Sequence, residues 1–137
     1  MMNPHVGVIT LGVDDLDRAK RFYRDGLGWP IQVDQGQFVS FRAADGSSGL
    51  ALYPRKVLAG DAGVPADGGG FRGITFSYIV RSSERVDAVL GEAERAGGEI
   101  TQPAQHARWG GYFGYFADPD GHLWKVVAGD GDQPFAE

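Results

Sequence analysis

The 137-residue chain contains no cysteine, which excludes disulfides, thiolate nucleophiles and cysteine-held zinc or iron–sulfur centres. Long apolar runs are missing too. No stretch approaches the roughly 20 residues that a membrane-crossing helix requires. Nothing at the N-terminus resembles the basic-then-apolar pattern of a signal peptide, so a cytoplasmic protein without a membrane partner is expected. Basic charge is short: 13 Lys and Arg stand against 18 Asp and Glu, for a net −5. Nucleic-acid phosphates demand clustered cations, so nucleic acid is not an expected partner. The same balance disfavours anionic membranes and leaves a cationic small molecule open. No Gly-x-Ser-x-Gly motif occurs, and with it goes the nucleophile elbow of a serine triad. Gly68-Gly69-Gly70 leads into a strand and does not join a strand to a helix, so it is no phosphate cradle.

What is present is a plan written twice. At this length one domain over residues 1–137 is expected, since most domains run about 100–150 residues. The first segment opens with Val6 to Val13, an apolar, β-branched stretch that reads as a strand. Asp14-Asp15 offers a helix N-cap, because a carboxylate accepts unpaired amide hydrogens and opposes the dipole. Leu16, Ala19, Phe22 and Tyr23 follow at helical spacing, and Gly26 and Gly28 can end the helix. Three short strands are expected near Trp29–Val33, Phe38–Ala43 and Gly49–Tyr53, with turns at Gln35-Gly36 and Asp45-Gly46. The second segment gives a strand over Phe71–Val80, then a helix capped by Ser82 or Ser83 with Val86, Val89, Leu90 and Ala93 on one face. Strands near Glu99–Gln102, Tyr112–Ala117 and His122–Val127 follow, the last two joined at Asp118-Pro119-Asp120-Gly121. The stretch from Arg55 to Gly70, rich in Gly, Ala and Pro, reads as a linker.

The run Val13-Asp14-Asp15-Leu16-Asp17-Arg18-Ala19-Lys20-Arg21-Phe22-Tyr23, closing on Gly26-Leu27-Gly28-Trp29, resembles the first helix of the vicinal oxygen chelate (glyoxalase/bleomycin-resistance/dioxygenase) superfamily. Tyr115-Phe116-Ala117-Asp118-Pro119-Asp120-Gly121-His122-Leu123-Trp124 is similar to its final hairpin. The Leu50-Ala51-Leu52-Tyr53-Pro54 and Trp109-Gly110-Gly111-Tyr112 stretches resemble those of small glyoxalase-like members. The resemblance implies an α+β fold of two tandem βαβββ modules, forming a curved mixed sheet around a central cup. The modules would span 5–54 and 71–128, with a linker over 55–70 and a polar tail over 129–137. It also implies a homodimer.

Metal-dependent members carry histidine, glutamine or glutamate on the first and last strand of each module. Counted from the motifs, those positions fall on Val8, Ala51, Gly73 and Lys125. None is a metal ligand, and a lysine's cationic amine would repel a divalent ion, so neither metal nor cofactor is expected. Lys125 is the most informative residue. Burial among apolar groups would make its amine a base or a Schiff-base former. It could equally hold a ligand carboxylate, reach out into water, or pair with a nearby Asp or Glu. Strand alternation puts Tyr53, Thr75 and Ser77 on the same face as the lost ligand positions. Trp109 and Tyr112 could add aromatic walls with polar tips, or pack a dimer contact. His5 and His122 read as end and turn residues, whereas His106 sits where a loop could border the cup. The expectation is a metal-free binder of an apolar or aromatic small molecule. The alternative is a metal-independent lyase or isomerase acting on a small carbonyl compound through Lys125, ahead of a metal-dependent glyoxalase or dioxygenase.

Overall fold

The computed structural model describes residues 1–129. It divides into two compact units between Gly68 and Gly69, and each unit carries one four-stranded mixed sheet.

In the first unit, β1 (Val8–Val13) leads into α1 (Leu16–Lys20). Asp15 caps the helix by accepting the Arg18 amide at 3.0 Å. The helix continues as a wider turn over Arg21–Gly26, in which the Leu27 amide reaches back five residues to the Phe22 carbonyl. β2 (Ile31–Asp34), β3 (Val39–Phe41) and β4 (Gly49–Pro54) complete the sheet in the order β1-β4-β3-β2, with β1 and β4 parallel. The register sets Leu11 beside Leu52, Val39 beside Leu52 and Phe41 beside Leu50. One face therefore carries a continuous apolar layer, and Phe22 and Tyr23 complete that buried core.

The second unit repeats the order. β5 (Thr75–Val80) is followed by α3 (Ser83–Arg95), whose N-cap Ser82 accepts the Arg85 amide at 3.1 Å. β6 (Glu99–His106), β7 (Tyr112–Ala117) and β8 (Leu123–Ala128) follow, giving the order β5-β8-β7-β6 with β5 and β8 parallel. Val86, Val89, Leu90 and Ala93 of α3 are buried with Val80, Phe116, Trp124, Val126 and Ala128 of the sheet. Trp124 holds that layer together, 4.9 Å from Phe76 and stacked on Phe116 at 6.0 Å between ring centres.

At Gly114, β7 lies close under α3. A Cβ there would lie 2.6 Å from Leu90 Cδ1 and 3.1 Å from the Gln102 carbonyl oxygen. The leucine can swing away, but the backbone of β6 cannot. Gly114→Ala is therefore expected to destabilise the protein by about 1–3 kcal/mol through overpacking. Urea unfolding measures it, and an unchanged midpoint would contradict the tight approach.

Three expectations need correction. The strand expected from Phe71 begins only at Thr75, because Gly73 adopts φ 78°, a left-handed conformation that interrupts pairing. β6 runs on to His106 because register shifts between Ile100 and Gln102, and again before Gln105, absorb extra residues as bulges. The stretch expected as plain linker contains α2 (Arg55–Ala62), ended by Gly63 at φ 78°. α2 packs on Gly12, where a Cβ would sit 3.2 Å from the Arg55 Cα and 3.4 Å from Leu58 Cδ2. Arg55 then ties the following chain, donating to the carbonyls of Ala66 (2.7 Å) and Gly68 (2.8 Å). From Asp130 on, the expected polar tail lies outside the described residues. Among those described, no helix is long and apolar enough to cross a membrane.

Candidate functional site

The second sheet has two faces, and α3 covers only one. Register assigns the other. Ser77 pairs with Lys125 and Lys125 with Tyr115; Thr75 pairs with Leu123; Val127 pairs with Phe113. Paired residues share a face and alternate residues return to it. Thr75, Ser77, Ile79, Phe113, Tyr115, Leu123, Lys125 and Val127 therefore stand together, away from the helix. Thr75, Ser77 and Lys125 are thus brought onto one face, as alternation from the sequence requires.

Lys125 does not point straight off this face. Its Nζ lies 5.0 Å from the ring centre of Phe113, which is level with Val127, one rung along. It also lies 6.0 Å from the ring centre of Trp109. The side chain thus leans toward the β7 entrance and places its amine over two aromatic faces, an arrangement that ring quadrupoles favour. Trp109 reaches the group by folding back from the Ala107–Gly111 turn, which is closed by the Ala107 amide on the Gly111 carbonyl at 2.7 Å. The fold-back requires glycine at 111, because a Cβ there would fall inside the indole ring. Trp109 nevertheless remains 54% exposed. Tyr115 meets Phe113 edge-on, 6.1 Å between ring centres. Among the described residues, no carboxylate lies within ion-pairing distance of Lys125.

Phe113 and Tyr115 were not singled out from the sequence. The signal that would have found them is the parity of β7: Gly114 and Phe116 turn toward α3, so 113 and 115 must turn away. The same parity removes Tyr112 from the group. It lies on the helix side, where its hydroxyl donates to Asp87 Oδ1 at 2.9 Å. That bond holds the phenol above its ordinary pKa, since donating to a carboxylate favours the protonated form. His106 lies against the Tyr112 ring at 4.9 Å. Tyr53 belongs to the first unit, where its ring meets that of Phe38 at 6.3 Å. His122 is committed to its turn, with Nδ1 2.8 Å from Asp118 Oδ2.

The positions at which relatives would hold a metal do not fit one. Val8 is exposed beside Gly49, Ala51 is buried beside Thr10, and Gly73 precedes β5. Lys125 brings a cationic amine. Among the described residues, no group of three or more His, Asp or Glu side chains is placed to hold a metal ion.

Comparison with known proteins agrees with this architecture. Residues 5–126 match the model of the Glyoxalase/Bleomycin resistance protein/Dioxygenase superfamily. A glyoxalase-related enzyme from Fulvimarina pelagi is 30% identical, with a TM-score of 0.82 over 98% of this chain and 99% of that one. A glyoxalase/bleomycin resistance protein/dioxygenase from Nocardioides is 25% identical, at a TM-score of 0.75 over 98% of this chain and 89% of that one. A lactoylglutathione lyase from Agrobacterium tumefaciens is 27% identical, at 0.68 over 93% and 96%. No curated protein matches the chain.

Proposed function

The chain belongs to the Glyoxalase/Bleomycin resistance protein/Dioxygenase superfamily, and from that premise we propose that it binds an apolar or aromatic small molecule without a metal, on the helix-free face of its second sheet. One observation carries this reading: Lys125, Phe113 and Trp109 gather on that face, with the amine 5.0 and 6.0 Å from the two rings. Tyr115 and Val127 extend the apolar surface, and Ser77 and Thr75 add hydroxyls on the neighbouring strand. Sites of this make-up, mostly apolar with few polar groups, orient small ligands. A cationic amine, with no carboxylate or imidazole cluster among the described residues, supports a binder over metal-assisted chemistry.

The test is a screen of neutral bicyclic aromatics, such as indole, 2-naphthol and quinoline, followed by NMR. Binding is expected to shift resonances of Phe113, Tyr115 and the Trp109 indole. Trp109→Ala should weaken a hit by about 2–10-fold, the scale of one aromatic contact. Shifts confined to other residues, or no hit, would sink the reading. The enzymatic alternative is served by the same amine. A Schiff base would form by attack of Lys125 Nζ on a carbonyl carbon with loss of water, and borohydride would trap it. A trapped adduct on Lys125 would move the protein to the lyase or isomerase reading.

A further inference from the structure

We propose that the ligand of this face is an aromatic monoanion, a planar ring system bearing one carboxylate. The inference rests on the small-molecule reading above and deepens it.

Charge complementarity carries it. Lys125 is the cation of the face, and among the described residues it has no carboxylate partner. The strand-paired neighbours flanking it are Ser77 and Tyr115, and those one rung along are Ile79, Val127 and Phe113. None of these is acidic. The nearest acidic position on this sheet is Glu99, which pairs with Ala117 at the other end of β7. The Lys125 side chain runs the opposite way, toward Phe113 and Trp109. A solvated lysine has no reason to lie along two aromatic faces on a half-buried strand position unless the rings stabilise it there. The rings hold the cation, no carboxylate among the described residues compensates its charge, and a single ligand carboxylate would supply that counter-charge.

The geometry also says where the rest of the ligand goes. The amine lies 5.0 Å from the Phe113 ring centre and 6.0 Å from that of Trp109, and Tyr115 meets Phe113 edge-on. A carboxylate on Nζ therefore puts the attached ring against these aromatics, where planar groups stack. One full charge is opposed by one cation, so a monoanion fits better than a dianion.

The test is calorimetric titration of the full chain with two probes of the same shape, 2-naphthoate and 2-naphthamide. Wild type is compared with Lys125→Met and Lys125→Arg, and Lys125→Gln replaces Lys125→Met should that variant not fold. Naphthoate is expected to bind wild type about tenfold or more tightly than naphthamide, the worth of a charge-assisted hydrogen bond. That preference should vanish in Lys125→Met and survive in Lys125→Arg. Equal affinity for both probes would overturn the monoanion and leave the aromatic-binding reading standing. A preference that persists in Lys125→Met would overturn it too, by placing the anion elsewhere. Failure of both probes to bind at about millimolar concentration would take down both readings together.

Discussion

Tyr23→Ala is expected to cost about 3–5 kcal/mol of folding stability, as do other buried aromatic truncations. Tyr23 is 0% exposed. Its ring is the hub of an aromatic cluster, with ring centres 4.9 Å from Phe22, 5.2 Å from Trp29 and 5.8 Å from Phe41. Trp29 and Phe41 also meet at 5.9 Å, so the void would be walled by rings that already hold one another and can collapse only partly. Residual cavity volume sets the upper end of such costs. The loss would be a large share of the about 5–15 kcal/mol by which domains are stable. In calorimetry the melting temperature should fall by more than about 10 °C. A loss below about 1 kcal/mol would mean that the helix end can close over the gap, and that the widened turn at Arg21–Gly26 is softer than its bonds suggest.

The second large effect is expected at Asp118, whose side chain is fully buried. One oxygen accepts the amides of Asp120 and His122, at 2.9 and 2.8 Å, and the other meets His122 Nδ1 at 2.8 Å. Around this carboxylate the turn closes, with the Asp118 amide on the His122 carbonyl and the Gly121 amide on the Asp118 carbonyl, each at 2.9 Å. Asp118→Ala strips three donors at once, and a hydrogen bond to a charged group contributes about 1.5–3 kcal/mol. Water can reach part of an open turn, so the expected cost is about 2–4 kcal/mol and not the sum. Asp118→Asn keeps an acceptor for the two amides and should lose less than half as much. Urea unfolding of both variants measures the difference. Equal losses would mean that the His122 contact, and not the amide pair, carries the turn. Either way β7 and β8 lose their anchor, and with them the register that sets Tyr115 beside Lys125.

Much of this was legible in the chain itself. The repeat of strand, helix and three strands follows from local chemistry: Asp15 and Ser82 cap helices because they stand just ahead of amphipathic runs, and Asp118-Pro119-Asp120-Gly121 turns because its residues leave no better option. Alternation alone also puts Thr75, Ser77 and Lys125 on one face, since side chains along a strand must alternate. Where local signals are mixed, tertiary contacts decide the outcome. Arg55–Ala62 looked like linker because of its glycine and alanine, yet it is helical because Leu58 and Arg55 find a seat on Gly12. Phe71–Ile74 looked like strand by composition, but Gly73 turns left-handed and the pairing starts later.

The sequence by itself determined the two-module plan and the side chains that stand at Val8, Ala51, Gly73 and Lys125, the positions where the resemblance implies metal ligands, since these depend only on residue type and period. Only the tertiary structure decided which aromatics keep that lysine company. The fold-back of Trp109 onto Gly111, the lean of Lys125 toward Phe113 and the removal of Tyr112 to the helix side all depend on contacts between residues on different strands or across a turn. No local preference encodes such contacts; they follow from which rotamer still has room once the sheet is packed.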